Sequence, residues 1–175
     1  GIIVAGLGVD GKGYVLADRT ARLSPEKWGR LAVKCYDDFI ADKIVAEKNF
    51  GGDMVRAVIQ AVRSSVPVSL VSASRGKVLR AEPIASLYEQ GKIKHVVERH
   101  DAFSDLEDEM ALMSTGGYQG KGSPNRVDAL VWSLQELLLD TEVMADELTE
   151  TYLVDPFPIP KHWPVVAAMD IDVRN

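Results

Sequence analysis

The sequence contains a single cysteine, Cys35, and no apolar run that approaches the roughly 18 residues of a membrane span. One thiol cannot form an internal disulfide, so this cysteine usage fits a reducing compartment. Cys35 lies on the apolar side of a predicted helix, where a buried structural thiol is the simpler interpretation. We therefore expect a cytoplasmic protein without a membrane partner.

The sequence also lacks the excess of positive charge that is typical of nucleic-acid-binding domains, since its net charge is −6. The basic residues are nevertheless clustered, and Arg75, Lys77 and Arg80 fall together in a predicted loop. Such a cluster could contact DNA phosphates or could simply be a solvated surface. Carboxylates of a metal site would also add negative charge that bound ions offset, so the net charge argues only mildly against DNA.

At 175 residues the chain is expected to form one domain, and the absence of an initial methionine predicts a piece of something longer. Two short apolar runs flank Asp10-Gly11, which predicts a β-hairpin with the strand at residues 14–17 toward one edge of the sheet. Ser24-Pro25 predicts a helix start, and residues 83–90 predict a short helix. Strands then alternate with helices, which indicates an α/β fold with a mixed sheet.

Two acids occupy positions that are typical of a divalent-metal site. Glu47 ends a short buried strand, where the carboxyl edge of an α/β sheet commonly forms sites. Asp128 lies in the first turns of a helix that opens with Ser123-Pro124. Carboxylates alone suffice for Mg²⁺, which prefers oxygen ligands. The alternatives are an exposed strand-end acid and an acid favoured by the helix dipole.

Five blocks of the sequence together resemble the nuclease domain of phage and prophage terminase large subunits: residues 1–6, 44–55, 74–84, 106–110 and 123–132. The resemblance implies an RNase H-like mixed β-sheet flanked by helices. It also implies a two-metal-ion endonuclease, using Mg²⁺ or Mn²⁺, that cleaves concatemeric viral DNA during genome packaging. The family's second and third acids fall on Glu47 and Asp128.

The same resemblance implies the partners and the DNA-contacting residues. The middle basic block would place Arg75, Lys77 and Arg80 against the phosphates of double-stranded DNA. The expected protein partners are the terminase ATPase domain, the small terminase and the portal protein, in the cytoplasm of a bacterial host cell. No ATPase motif occurs in this sequence, so that domain must lie elsewhere.

The family's first acid follows an opening apolar strand, and a segment of that kind lies near the C-terminus at residues 164–172. The resemblance therefore assigns the family's first acid to Asp170, with the order of the strands rotated along the chain. We expect residues 1–140 to form the nuclease core and residues 141–175 to form a linker plus a strand that completes the sheet. That strand, residues 165–170, should lie centrally beside residues 1–7 and bring Asp170 to Glu47 and Asp128. The alternative is that residues 141–175 are a tail or the start of a neighbouring domain.

Two other functions remain open from the sequence. The first is a non-catalytic DNA-binding or assembly module that keeps the fold without a complete site. The second is another RNase H-like nuclease, such as a junction resolvase, which would share the acids but not the five blocks. The distance of Asp170 from Glu47 and Asp128 separates the catalytic interpretation from the non-catalytic one.

Overall fold

The structure, a computed structural model, describes residues 1–48, 52–74, 76–97, 102–140, 153–154 and 164–170. Within them, the strands in chain order are β1 (Ile2–Leu7), β2 (Gly13–Asp18), β3 (Lys43–Glu47), β4 (Val68–Val71), β5 (Ile93–Val96), β6 (Met113–Ser114), β7 (Gly117–Tyr118), β8 (Leu153–Val154) and β9 (Val165–Met169). The helices are α1 (Pro25–Asp38), α2 (Gly52–Val62), α3 (Lys77–Glu89), α4 (Ser104–Ala111) and α5 (Asn125–Leu138).

Seven strands form one sheet in the order β4-β3-β9-β1-β2-β5-β8, while β6 and β7 form a separate two-stranded hairpin. Strand β1 runs antiparallel to both of its neighbours, β2 and β9, and the other pairs in the large sheet are parallel. The predicted α/β fold, an RNase H-like mixed sheet flanked by helices, is confirmed.

Strand β9 lies in the middle of the sheet, between β1 and β3. All five of its residues are buried and apolar, which is the pattern of a strand covered on both faces. Ala167 pairs with Val4 on one side and with Ile44 on the other. Strand β9 therefore connects β3 and β4 on one side of the sheet to β1, β2, β5 and β8 on the other. The division of the chain at residue 140 stays a prediction.

The hairpin of β1 and β2 forms as predicted, with Gly11 in the left-handed region at φ 74°. The expected position of β2 toward one edge is wrong, because β5 and then β8 extend the sheet beyond it. The sequence pattern did not predict β8, which is only two residues long. A strand this short is not marked by periodicity.

The helices cover both faces of the sheet. Ile2 and Val4 pack in the core beside α1 and α2, whereas Ile3 and Ala5 pack in the core beside α3, α4 and α5. This division follows from the two-residue period of a strand, which sends successive side chains to opposite faces. No described helix combines the length and the apolarity that crossing a bilayer requires.

Helix α1 begins as predicted, with Ser24 as N-cap and Pro25 as its first residue. The prediction for α3 is wrong, because the helix starts at Lys77 rather than at Pro83, which lies inside it. Leu, Arg, Ala and Glu before Pro83 are good helix formers, and one proline removes only one donor from the helix. Lys77 and Arg80 are therefore helical rather than part of a loop, and Arg75 lies outside the described residues.

Candidate active site

The three acids predicted from the sequence come from three different elements. Glu47 is the last residue of β3, and Asp170 directly follows β9. These strands are parallel neighbours in which Ala46 pairs with Met169, so the next residues, Glu47 and Asp170, meet at the same sheet edge. Glu47 lies two residues after Val45, and Asp170 lies two residues after Ala168. Because alternate residues of a strand point to the same face, both acids lie on the face that α3, α4 and α5 cover.

Asp128 reaches this edge from the helical layer. It lies in the first turn of α5, where its N–H donates to the carbonyl oxygen of Pro124 at 2.9 Å. Helix α5 packs against β1 and β9, which positions its N-terminal turn beside the end of β9. The exposed fractions of Glu47, Asp128 and Asp170 are 8%, 3% and 4%, so three carboxylates are buried together.

Two basic residues of α3 join the acids to one another. Arg80 donates from Nη1 to Oε1 of Glu47 at 3.0 Å and from Nη2 to Oδ1 of Asp128 at 3.2 Å. Lys77 Nζ forms an ion pair with Asp128 and lies 3.9 Å from Oδ2 of Asp170. Because Lys77 and Arg80 are three residues apart on a helix, they project toward the same cluster.

A tryptophan and a serine hold these cations in place. The guanidinium carbon of Arg80 lies 4.6 Å from the ring centroid of Trp132, within the range of a cation–π contact. Trp132 follows Asp128 by four residues on α5, so one helix face presents both the acid and the ring to Arg80. Lys77 Nζ also donates to Oγ of Ser123 at 2.8 Å.

Burial makes the negative charge at this site costly. It raises the pKa of Asp170 to about 6, with Lys77 opposing the rise and Asp128 adding to it. Three carboxylates share two side-chain cations, Lys77 and Arg80, so carboxylates outnumber the positive groups that contact them. An additional cation would therefore be favoured at this position.

The chemistry of the donor set fits a hard divalent cation, because carboxylate oxygens are the ligands that Mg²⁺ and Mn²⁺ prefer. Within the described part of the chain, no group of three or more His, Cys, Asp and Glu side chains is arranged to hold a metal ion. The carboxylates are instead bridged by Lys77 and Arg80. In the observed conformation, these two side-chain cations contact the acids and offset part of their negative charge.

Two predicted DNA-contacting residues therefore have acids as their partners. The side chain of Arg80 is only 6% exposed and lies between Glu47 and Asp128, whereas that of Lys77 is 39% exposed. Sequence reasoning missed the contacts of Trp132 and Ser123. The four-residue spacing from Asp128 to Trp132 was a usable signal for a shared helix face.

Comparison with known proteins identifies the family. A family model for the terminase RNaseH-like domain matches residues 1–137, which is most of the 175-residue chain. Neither the curated proteins nor the solved structures contain a significant match. The matched range includes Glu47 and Asp128 and ends before Asp170. From the extent of this match and the mixed sheet that it accompanies, the chain belongs to the terminase RNaseH-like domain family.

Proposed function

We propose that this chain is a divalent-metal-dependent DNA endonuclease that cleaves concatemeric viral DNA during genome packaging. The observation that carries the proposal is the convergence of Glu47, Asp128 and Asp170 at one sheet edge, where shared cations join them. Family membership supports a nuclease role in packaging. The convergence of three buried carboxylates at a sheet edge supports a hydrolytic site.

Glu47, Asp128 and Asp170 would hold Mg²⁺ or Mn²⁺. When bound, such ions supply the positive charge that stabilises the attacking and leaving oxygens of phosphodiester hydrolysis. The chain contributes rigidity, since Glu47 and Asp170 end neighbouring strands and Asp128 is fixed in a helix turn. Carboxylates on rigid elements keep their spacing better than carboxylates on loops.

Arg80 would act as a positioning residue for two of these acids. Its guanidinium contacts Glu47 and Asp128 while Trp132 covers one of its faces. A planar group held in this way fixes the direction of both carboxylates. Because its side chain is buried, Arg80 would stay in place when a metal ion binds.

Lys77 would behave differently, because a metal ion would compete with its ammonium for Asp128 and Asp170. Its side chain is 39% exposed and sits on a flexible stem, so it can leave the acids without unfolding the helix. Once displaced, Lys77 would lie beside the site and could hold a DNA phosphate, the role that the sequence predicts. Arg75 stays a predicted phosphate contact from the sequence.

The remaining partners follow from the family. Double-stranded DNA would be the substrate, and the terminase ATPase domain, the small terminase and the portal protein would be the assembly partners in the cytoplasm of a bacterial host. Each of these is a proposal that rests on family membership.

Nicking of supercoiled plasmid DNA tests the proposed activity. The chain should nick the plasmid with Mg²⁺ or Mn²⁺ and should be inactive in EDTA. Asp170→Asn should abolish nicking, whereas Asp38→Asn, the same change at an exposed acid on α1, should leave it unchanged. Retained nicking by Asp170→Asn would show that this acid is not part of the active site. Nicking that persists in EDTA would show that the reaction does not need a divalent metal ion.

One observation favours a second candidate, a non-catalytic DNA-binding module. Lys77 and Arg80 already contact the acids, so the cluster could be a stable buried ion network without a metal ion. Isothermal titration separates the two candidates. Wild-type protein that binds DNA but binds no Mn²⁺ and cuts nothing would support the module.

A further inference from the structure

A cleft of about 580 Å³ opens directly beside the acid cluster. Its volume falls in the range of roughly 300–1,000 Å³ that is typical of ligand clefts. Asp170 lines it together with Gly1 and Met169, at the ends of the two central strands β9 and β1. The cleft is therefore continuous with the proposed catalytic site.

At Gly1, which lines this cleft, the backbone packs closely against the start of α5. A Cβ atom at Gly1 would lie 1.9 Å from the carbonyl oxygen of Asn125, the first residue of α5. Any side chain at this position would collide with that helix. The glycine thus allows the start of β1 to approach α5 closely beside Asp170.

Two cations lie along the same cleft. Arg22 belongs to the segment between β2 and α1, and Lys121 belongs to the segment that precedes α5. Both residues are exposed, and neither forms an ion pair within the described residues. In contrast, Arg30 and Lys34 on α1 are both paired with acids four residues away.

This distribution of charge fits a polyanion. The acids at the cleft would repel a phosphate, so a nucleic-acid strand needs positive charge nearby to remain in place. Arg22 and Lys121 provide that charge from two separate segments, with no described carboxylate paired to either. A cleft lined by two such cations and by Asp170 can hold the successive phosphates of a strand beside that acid.

We propose that this cleft binds the sugar-phosphate backbone of one DNA strand, with Arg22 and Lys121 contacting phosphates that flank the one presented to Asp170. The inference rests on the proposed nuclease function and adds to it the path of the substrate strand. Contacts of this kind are independent of DNA sequence, and their strength falls with increasing salt concentration.

Fluorescence anisotropy of a labelled DNA duplex, titrated in EDTA at several salt concentrations, tests the inference without cleavage. In wild-type protein, log K should fall linearly with log salt concentration. In the double variant Arg22→Ala/Lys121→Ala, the affinity should fall at low salt and the slope should decrease by about 2, one for each lost phosphate contact. The conservative variant Arg22→Lys/Lys121→Arg should keep the wild-type slope.

Arg30→Ala/Lys34→Ala is the matched control, because it removes the same two residue types from the outer face of α1. Its slope should equal that of wild type. An unchanged slope in the cleft variant, an equal loss in the control, or no binding by wild type would each overturn the inference. Inorganic phosphate that raises the melting temperature as much as an oligonucleotide does would indicate a free-anion site instead and would also overturn it.

The nicking assay keeps the two proposals distinguishable. If wild type nicks DNA with Mn²⁺ while Arg22→Ala/Lys121→Ala binds DNA with an unchanged salt slope, the proposed nuclease activity stands and the proposed DNA-binding role of the cleft is wrong. If the salt slope decreases as expected but no metal ion supports nicking, the DNA-binding role of the cleft stands and the proposed nuclease activity is wrong. Melting curves should show that the variants fold, since both residues are exposed.

Discussion

Two polar clusters, each built around buried side chains, lie on the same face of the sheet, and helix α3 contributes to both. The acid cluster comprises Glu47, Asp128, Asp170, Lys77 and Arg80, with both cations in the first turns of α3. The histidine cluster comprises His95 on β5, Tyr88 near the end of α3 and Glu107 on α4. The two clusters differ in how completely their charges are balanced.

The histidine cluster is satisfied by its own members. His95 is fully buried, its Nε2 lies 2.7 Å from the hydroxyl of Tyr88, and its Nδ1 lies 3.0 Å from Oε1 of Glu107. Burial lowers the pKa of His95, while the hydrogen bond that its ring donates to the Glu107 carboxylate opposes this shift. This cluster supports packing, because each ring nitrogen has a protein partner and the ring favours the neutral form.

The acid cluster has more carboxylates than cations, and it borders an open cleft. A buried network with unbalanced charge is unfavourable for stability alone, since buried ion pairs often contribute little. Burial of polar groups is therefore not by itself the sign of a functional site. The sign is an excess of one charge beside an accessible cleft.

The same substitution in both clusters gives the largest expected contrast. Glu47→Gln should lower the metal-dependent nicking rate at least roughly a thousandfold, because loss of a ligand removes several kcal/mol of transition-state stabilisation. Glu107→Gln should leave the rate within a few-fold of wild type. Plasmid nicking with Mn²⁺ measures both rates. Similar rates in the two variants would show that the two clusters do not differ in function.

Unfolding in urea with EDTA provides the next contrast. Arg80→Met should lower the free energy of unfolding by roughly 3–5 kcal/mol, because Glu47 and Asp128 would remain buried without their shared partner. Tyr88→Phe should cost only about 1–3 kcal/mol, the range for leaving one buried polar atom unsatisfied. If Arg80→Met lowers the free energy of unfolding less than Tyr88→Phe does, Glu47 and Asp128 do not depend on Arg80 to offset their charge.

Metal affinity tests whether Lys77 competes for the acids. Lys77→Met should tighten Mn²⁺ binding by about tenfold, equivalent to about 1.4 kcal/mol, because no ammonium would then have to leave Asp128 and Asp170. Isothermal titration calorimetry measures this change. Lys34→Met, which removes a lysine paired with an acid on α1, should bind Mn²⁺ as wild type does. Equal affinity in all three proteins would exclude competition by Lys77.

The smallest expected effect is the pH dependence of the histidine cluster. The folded pKa of His95 lies below its ordinary value of 6.5, so its contribution to stability is present above pH 6.5 and is lost as the pH falls through the folded pKa. The stability difference between wild type and His95→Asn should therefore shrink on acidification, by up to about 1.4 kcal/mol per pH unit. Urea unfolding across this range measures it, and a constant difference would mean that His95 does not titrate differently on folding.

Local sequence patterns predicted the fold well where one segment carries its own signal. Asp10-Gly11 predicted the hairpin, and Ser24-Pro25 predicted the start of α1. Pro83 misled the prediction of α3, because proline favours a helix start but does not require one. The edge position of residues 14–17 was also wrong, since pairing with β5 depends on the whole sheet.

The candidate site was only partly predictable for a similar reason. Glu47 and Asp128 could be placed at a strand end and in a helix turn from their immediate neighbours. Lys77 and Arg80 were assigned to DNA mainly because the family resemblance places them in its basic block, since a basic cluster alone is equally typical of a solvated surface. Their contacts with the acids come from the packing of α3 against α5, which no local pattern reports.

Most of the helices and strands and the mixed α/β class could be predicted from the residue pattern, because periodicity and turn residues are local properties. The family resemblance added the three candidate acids. The folded structure, in contrast, fixed the register in which β9 lies between β1 and β3, so that Asp170 meets Glu47 at the sheet edge. It also fixed which cations the acids contact. Those outcomes depend on residues that are far apart in the chain, and long-range packing rather than local preference brings them together.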